Sequence, residues 1–273
     1  MRRPRIGSIV SYVILIGVTL ISIFPFYMMI IMSTRESQDI VTKLYLTPGD
    51  HFLANGALVI KSGFLQFYWN SFYVAVLSSS LGMLISAMAG FALSKYDFKL
   101  RVFFFNFVMF VMMIPFGVSI IGFLIEMRSF GWSNTHLPLI ISGMVSPYGV
   151  FLLTQFAKDG FPKEIMESAR IDGCNEVGIF FRFFLPFTKA ACLTLFLLIF
   201  IYSWNNFMIP LVFITKQSMY TIPLGIFAVG NQYRQEYGAR LFALTFSTLP
   251  MLIIFAVNSK SLIRGLTAGA IKG

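Results

Sequence analysis

Six stretches of the chain run without a charged residue for long enough to cross about 30 Å of hydrocarbon as helices. They are residues 9–32, 72–93, 102–125, 137–156, 190–214 and 242–257, the last running on toward 263. Each Leu, Ile, Val or Phe contributes about −0.3 to −0.6 kcal/mol to insertion, against about +3 for a central charge, so every stretch is expected to insert unaided. The pattern predicts an all-α integral membrane protein with six transmembrane helices. Arg2, Arg3 and Arg5 ahead of the first stretch give it the look of a secretory signal. It is longer than an h-region of about 7–15 residues and no small-residue cleavage site follows, so it is read as an uncleaved first span.

The polar connections differ in kind. Residues 33–69 are long and carry Pro48, Gly49, Asn55 and Gly56, which predicts a small capping structure on the external face. Residues 220–229 are apolar but too short to span, and either re-enter or lie on the outer surface; the surface is the favoured reading. A polar tip, 230–238, follows. Pro115, Pro138, Pro147 and Pro210 fall inside or near spans and are expected to kink them.

The connection at 158–189 carries the most information. Lys158, Lys163, Arg170, Arg182 and Lys189 balance Asp159, Glu164, Glu167, Asp172 and Glu176, so it is neutral, unlike a lipid-binding polybasic loop. Pro162 suits a first helical position, Lys163 with Glu167 and Glu167 with Arg170 have helical pair spacing, and Asp172-Gly173 supplies a stop. A second short helix then carries Phe180, Phe181, Phe183 and Phe184 until Pro186 breaks it. Two short helices, charged on one side and aromatic on the other, predict a protein docking surface. The alternative is a solvated linker packed on the helix ends.

Composition agrees with the membrane reading: 57% of residues are hydrophobic and 12% charged, where a soluble domain carries about 25% charged residues. The net charge of +10 is read as topology rather than nucleic-acid binding. With the N-terminus inside, the inner connections hold twice as many Lys and Arg as the outer ones, which places both termini in the cytoplasm. Cys174, Cys192, His51 and His136 stand apart from one another, so neither a disulfide framework nor a metal site is indicated.

No G-x-x-x-x-G-K-[ST] occurs, so the chain has no P-loop for nucleotide phosphates. The span interiors hold no Asp, Glu, His, Lys or Arg, with Glu126 at the outer end of the third. An ion-coupled secondary sugar carrier places such groups at membrane depth, and an intramembrane enzyme needs Ser with His or paired Asp there. The spans therefore read as a conduit driven by energy from elsewhere.

The 158–189 connection reads Glu164-Ile-Met-Glu167-Ser-Ala169-Arg-Ile-Asp172-Gly173, then nine residues to Arg182, then Phe-Phe-Leu185-Pro186. It resembles the EAA loop of permease subunits of bacterial binding-protein-dependent ABC importers, with Ser168 where the family usually has alanine. Ser203-Trp-Asn-Asn-Phe207, Tyr220-Thr-Ile-Pro-Leu-Gly225 and Arg264-Gly-Leu-Thr-Ala-Gly-Ala-Ile-Lys-Gly273 extend the resemblance to the carbohydrate-uptake branch and to the shorter permease of maltose-type importers.

The resemblance implies a type I ABC importer permease fold with cytoplasmic coupling helices, in the membrane of a bacterial cell. It divides the chain into a first span with its outer segment (1–69), a transmembrane core (70–264) and a cytoplasmic tail (265–273). Glu164, Glu167, Ala169, Asp172, Gly173, Leu185 and Pro186 would form the contact with the ATPase, and Gly269, Lys272 and Gly273 in the tail would reach the ATPase interface. The implied partners are a second permease, two ATP-binding subunits that hold ATP and Mg, an extracytoplasmic sugar-binding protein and membrane lipid, with no nucleic acid and no cofactor on this chain. The 230–238 tip would probe the binding protein. In the fifth span, Trp204, Asn205 and Asn206 suit a sugar path through neutral hydrogen-bonding groups and an aromatic face. Interhelical packing with an interfacial anchor is the favoured reading of the three. Asn106, Ser78, Ser79, Ser80 and Ser86 are read as helix-packing groups.

Overall fold

A computed structural model describes residues 6–230 and 236–268, and the described residues are helical with irregular connections. Two compact units divide the chain, one made of the part up to Leu65 with Gly225–Pro250, the other of Gln66–Leu224 with the part from Met251 on.

In the first unit, α1 (Ile6–Met32) is a single helix of 27 residues. Its apolar side chains from Val10 to Ile30 are largely exposed, as in a helix bathed by lipid. The chain then folds into α2 (Ser37–Thr42) and α3 (Phe52–Lys61). This connection is tied to the end of α1 by polar groups. The Asn55 amide donates to the Ser33 and Arg35 carbonyls, each at 2.9 Å. The Gly49 N–H donates to Thr34 Oγ1 at 2.7 Å, and the His51 N–H donates to the Thr34 carbonyl at 2.9 Å.

The second unit begins in α4 (Phe64–Lys95), which starts eight residues before the apolar run at 72. Gln66, Tyr68, Trp69 and Asn70 continue the helix ahead of the apolar run that marked the span. The third run is two helices, α5 (Arg101–Met112) and α6 (Phe116–Ser129), meeting at a sharp bend over Met113, Ile114 and Pro115. The fourth is α7 (Leu137–Met144) and α8 (Pro147–Gly160). Pro147 occupies the first turn of α8, where its missing N–H is no loss, and Ser146 caps that turn by accepting from the Gly149 N–H at 3.1 Å. The kinks expected at Pro115 and Pro147 are therefore breaks between helices, the second of them capped by Ser146. Against α4, the helix pair comes so close that a Cβ on Gly82 would lie 2.6 Å from the Gly143 carbonyl oxygen. Ser78, Ser79 and Ser86 are fully buried in α4; Ser78 lies against Gly143 and Ser86 against Gly149.

The connection after α8 folds as α9 (Lys163–Ile171), α10 (Glu176–Ile179), a π turn over Phe180–Phe184 and α11 (Leu185–Phe187). It leads, through an 82° bend at Thr188, into α12 (Lys189–Trp204). The fifth run, expected to be one helix over 190–214, is broken. Beyond Trp204 the chain resumes as α13 (Met208–Phe213). Pro210 explains the gap, because it has no N–H to give the Asn206 carbonyl. The Asn side chains take over: Asn205 Nδ2 donates to the Ile201 carbonyl at 2.8 Å, and Asn206 Oδ1 accepts from the Ile209 N–H at 3.0 Å.

The stretch from 220, favoured as a surface segment, turns inward through α14 (Ile222–Gly225). Asn70 Nδ2 donates to the Ser218 and Tyr220 carbonyls at 2.9 Å each, and Ser71 Oγ accepts from the Ile222 N–H at 2.7 Å. Backbone groups left over where no helix forms are thus satisfied by α4 side chains rather than by water. The last helix, α15 (Tyr237–Ala268), is 32 residues long. Four unbroken stretches suffice by length and composition to cross a membrane: Val10–Met32, Phe64–Lys95, Leu137–Lys158 and Tyr237–Ala256. Two bent pairs, α5 with α6 and Glu176–Phe187 with α12, allow up to six crossings by length and composition if each pair is counted as one span.

Candidate functional site: the 158–189 connection

α9 is amphipathic over nine residues: Met166 and Ala169 are buried, while Glu164, Glu167, Ser168, Arg170 and Ile171 face out. Its end has the full Schellman pattern. The Gly173 N–H donates to the Arg170 carbonyl at 3.0 Å and the Cys174 N–H to the Ala169 carbonyl at 2.9 Å. Gly173 adopts φ +80° with open space around it, so conformation rather than room demands glycine there. Asn175 then starts α10 by accepting from the Gly178 N–H at 2.8 Å.

Pro186 does not end the helix, contrary to expectation. In a regular α-helix its ring would collide with the Arg182 carbonyl. The π turn relieves this by widening the helix one residue earlier, with the Leu185 N–H reaching back to the Phe180 carbonyl. The same turn sorts the phenylalanines: Phe180 and Phe184 go in, Phe181 stays out.

The inward rings complete an aromatic cluster. Phe184 is fully buried, 4.7 Å from the Phe91 ring, 5.6 Å from the Phe161 ring and stacked at 5.6 Å on Phe180. Ala87, Leu153, Ala157, Met166, Ala169 and Leu195 close around it, and Leu185 packs on its edge. The connection is therefore a folded block seated on α4, α8 and α12.

Its charges are arranged differently from the helical pairs read in the sequence. Neither Lys163–Glu167 nor Glu167–Arg170 forms. Lys163 Nζ reaches Asp97 Oδ2 at 3.3 Å, and Asp97 Oδ1 takes Arg101 Nη1 at 2.6 Å. Arg170 Nε donates to Glu176 Oε1 at 2.8 Å, and Tyr96 donates its hydroxyl to the other Glu176 oxygen. These bonds hold the Glu176 carboxyl below its usual pKa, with Arg170 the larger cause. Burial first, and Glu176 second, push the Tyr96 phenol up to about 12. The bases of α9 are thus consumed by cross-links to the α4–α5 turn and to α10. Among the described residues, Glu164, Glu167 and Asp172 have no ion-pair partner.

The outward face consequently combines three free carboxylates with exposed aliphatic side chains, Ile171 at 86% and Val177 at 65% exposure. An open groove of about 280 Å³ runs between Glu164, Ile165, Ser168, Ala169, Asp172 and Phe183. Pro186 is exposed. Tyr96, Asp97, Ile171 and Val177 are site residues that sequence reasoning missed. The Tyr-Asp pair directly after Lys95 was the available signal.

Trp204 is buried, stacked on Phe200 at 5.7 Å and edge-on to Tyr68 at 5.4 Å. Asn205 is exposed, and Asn206 lines a cavity of about 10 Å³ with Ser142, Ser203 and Thr221. Gly269, Lys272, Gly273 and residues 231–235 of the 230–238 tip lie outside the described residues.

Four apolar helices of spanning length and two bent helix pairs define a multi-pass helical membrane protein. The chain belongs to the family of binding-protein-dependent transport system inner membrane components, whose profile matches residues 82–268. It is 34% identical over 279 residues to an arabinooligosaccharides transport system permease protein of Halalkalibacterium halodurans, covering 99% of this chain and 100% of that one. A lactose transport system permease protein of Rhizobium radiobacter is 29% identical, with 99% and 98% covered. A trehalose/maltose transport system permease protein of Thermococcus litoralis is 30% identical over the whole of both chains. Among solved structures, a bacterial ABC transporter involved in the import of the acidic polysaccharide alginate shares the fold, with TM-score 0.82 and 21% identity over 95% of this chain and 99% of that one.

Proposed function

We propose that this chain is one permease half of an ATP-driven, binding-protein-dependent importer of a sugar or oligosaccharide, coupled to its ATPase through α9 to α11. The carrying observation is the outward face of that block, where unpaired Glu164, Glu167 and Asp172 surround aliphatic Ile171 and Val177. A mixed acidic and aliphatic face over a rigid aromatic base suits a protein partner with a basic rim and an apolar cleft. ATP and Mg belong to two such partner subunits, and the 269–273 tail is their second point of contact. Both termini are cytoplasmic, as the Lys and Arg distribution favours. A second permease completes the path and an external binding protein delivers the cargo.

The cargo class follows the relatives, named for arabinooligosaccharides, lactose and trehalose/maltose. Asn205 and Asn206 supply neutral hydrogen-bonding groups of the kind a hydroxyl-rich cargo needs, and Trp204 serves as wall behind them.

The test is the double charge reversal Glu164→Lys with Glu167→Lys. Membrane level is expected to match wild type, because both side chains are exposed, while sugar-stimulated ATPase and uptake in reconstituted vesicles fall about tenfold or more. Wild-type stimulation and uptake would remove the coupling role. Uptake that survives loss of the ATPase and collapses with a protonophore would favour an ion-coupled carrier.

A further inference from the structure

We propose that the connection between the first two spans is embedded in the membrane: α3 and the strand of chain before it form a collar whose free face lies at the headgroup–acyl boundary of the lipid bilayer. The inference concerns the membrane-spanning fold and is independent of what the chain transports.

The first observation is the chemistry of α3. Asn55, Gly56 and Val59 face the protein. The opposite side carries Leu53 at 82% exposure and Ile60 at 63%, with Phe52 and Leu58 partly exposed beside them. Between Phe52 and Ile60 there is no charged residue; Lys61 closes the helix, and the Asp50–His51 pair precedes it at 2.8 Å. A helix bare of charge along its free face with polar groups at its ends matches an interfacial segment. A soluble partner that docks and leaves meets surfaces about as polar as the rest of a protein. Left in water, such a patch is a liability.

The second observation is depth. Tyr27 stands five residues before the end of α1, about 8 Å down its axis, and its hydroxyl donates to the Leu46 carbonyl. The chain therefore dips beside α1 rather than standing off its end, bringing exposed Leu44 and Leu46 to that level. α3 does the same against α15. The Phe52 ring lies 5.0 Å from that of Phe242, and a Cβ on Gly56 would come within 3.0 Å of it. Phe242 is five residues into α15, again about 8 Å from its end. α3 and the chain before it thus lie about 8 Å in from the ends of α1 and α15, and if those ends mark the bilayer boundary this is the depth of about 5–10 Å at which interfacial helices bury their apolar side.

Nitroxide labels test this in the full-length chain, assembled with its partner subunits in phosphatidylcholine vesicles. Leu44→Cys, Leu53→Cys and Ile60→Cys are made with Cys174→Ser and Cys192→Ser. Asp50→Cys serves as the water-facing reference, since the Asp50 side chain is 93% exposed. The ratio of oxygen to nickel-chelate collision rates is expected to be several-fold higher at 44, 53 and 60 than at 50. A ratio equal to the reference means an aqueous face, and exclusion of both relaxants means a protein partner; either result overturns the proposal. Leu53→Trp in the chain with both native cysteines gives a second reading. Its added fluorescence should be quenched by dibrominated phospholipid and not by iodide, and the reverse overturns the proposal as well.

Discussion

The block from α9 to α11 is held by rings, and the connection through α2 and α3 is held by hydrogen bonds. In the first, Phe184 is sealed among Phe91, Phe161 and Phe180, and the polar groups are left on the outside. In the second, Asn55 and Thr34 stitch backbone to backbone on the inside, and the outside is aliphatic. Each region spends on its anchor the kind of side chain it withholds from its free face. The free face of the first keeps carboxylates, and that of the second is bare of charge along α3.

The comparison breaks most readily at the rings. Phe184→Ala should cost about 3–5 kcal/mol, because the cavity it leaves cannot be filled by neighbours fixed on three helices. Thermal unfolding in detergent should show the loss, together with new protease cleavage confined to 158–189. Asn55→Ala should cost less, about 1–3 kcal/mol for two carbonyls left without their donor. Cleavage should then appear in 33–63, and the block from α9 to α11 should stay protected. The smallest effect is expected at Glu176. Its folded-state pKa is depressed by Arg170 and Tyr96, so its stabilisation is present above the ordinary glutamate range and is lost as pH falls through the lower folded value. Glu176→Gln should lower the melting temperature slightly at neutral pH, by under about 1 kcal/mol for so exposed a pair, and converge on wild type in acid. A variant equally weakened at both pH values would assign the residue no ionic role.

Charge-free length made the crossings legible, since the cost of a buried charge exceeds every other term in insertion. Hydropathy does not register a break, however. The run 190–214 is apolar whether or not it is one helix, and what divides it is the single N–H that Pro210 lacks, with Asn205 and Asn206 at hand to replace it. The sequence also showed that Asp172-Gly173 stops a helix, because positive φ has few other solutions. It misdirected the ion pairs: helical spacing put Lys163 and Arg170 on Glu167, whereas the fold brings Asp97 and Glu176 closer. Exposed pairs of this kind differ by a few tenths of a kcal/mol, so tertiary geometry decides among them. The packing of the 33–63 connection beside α1 and α15 left no trace in spacing, since it depends on where Tyr27 and Phe242 meet it.

The bend at Thr188 has a mechanical consequence. Glu176–Phe187 and α12 form an angled rod, 82° at the corner, whose elbow is locked by Thr188 Oγ1 donating to the Phe184 carbonyl at 2.8 Å. The long arm has 16 residues, about 24 Å. Any tilt of the short arm that keeps this corner would displace the far end of the long one most. That far end is Trp204, where the helix gives way to Asn205 and Asn206. A rotation about that corner would move the junction at Asn205 and Asn206 through the whole length of α12.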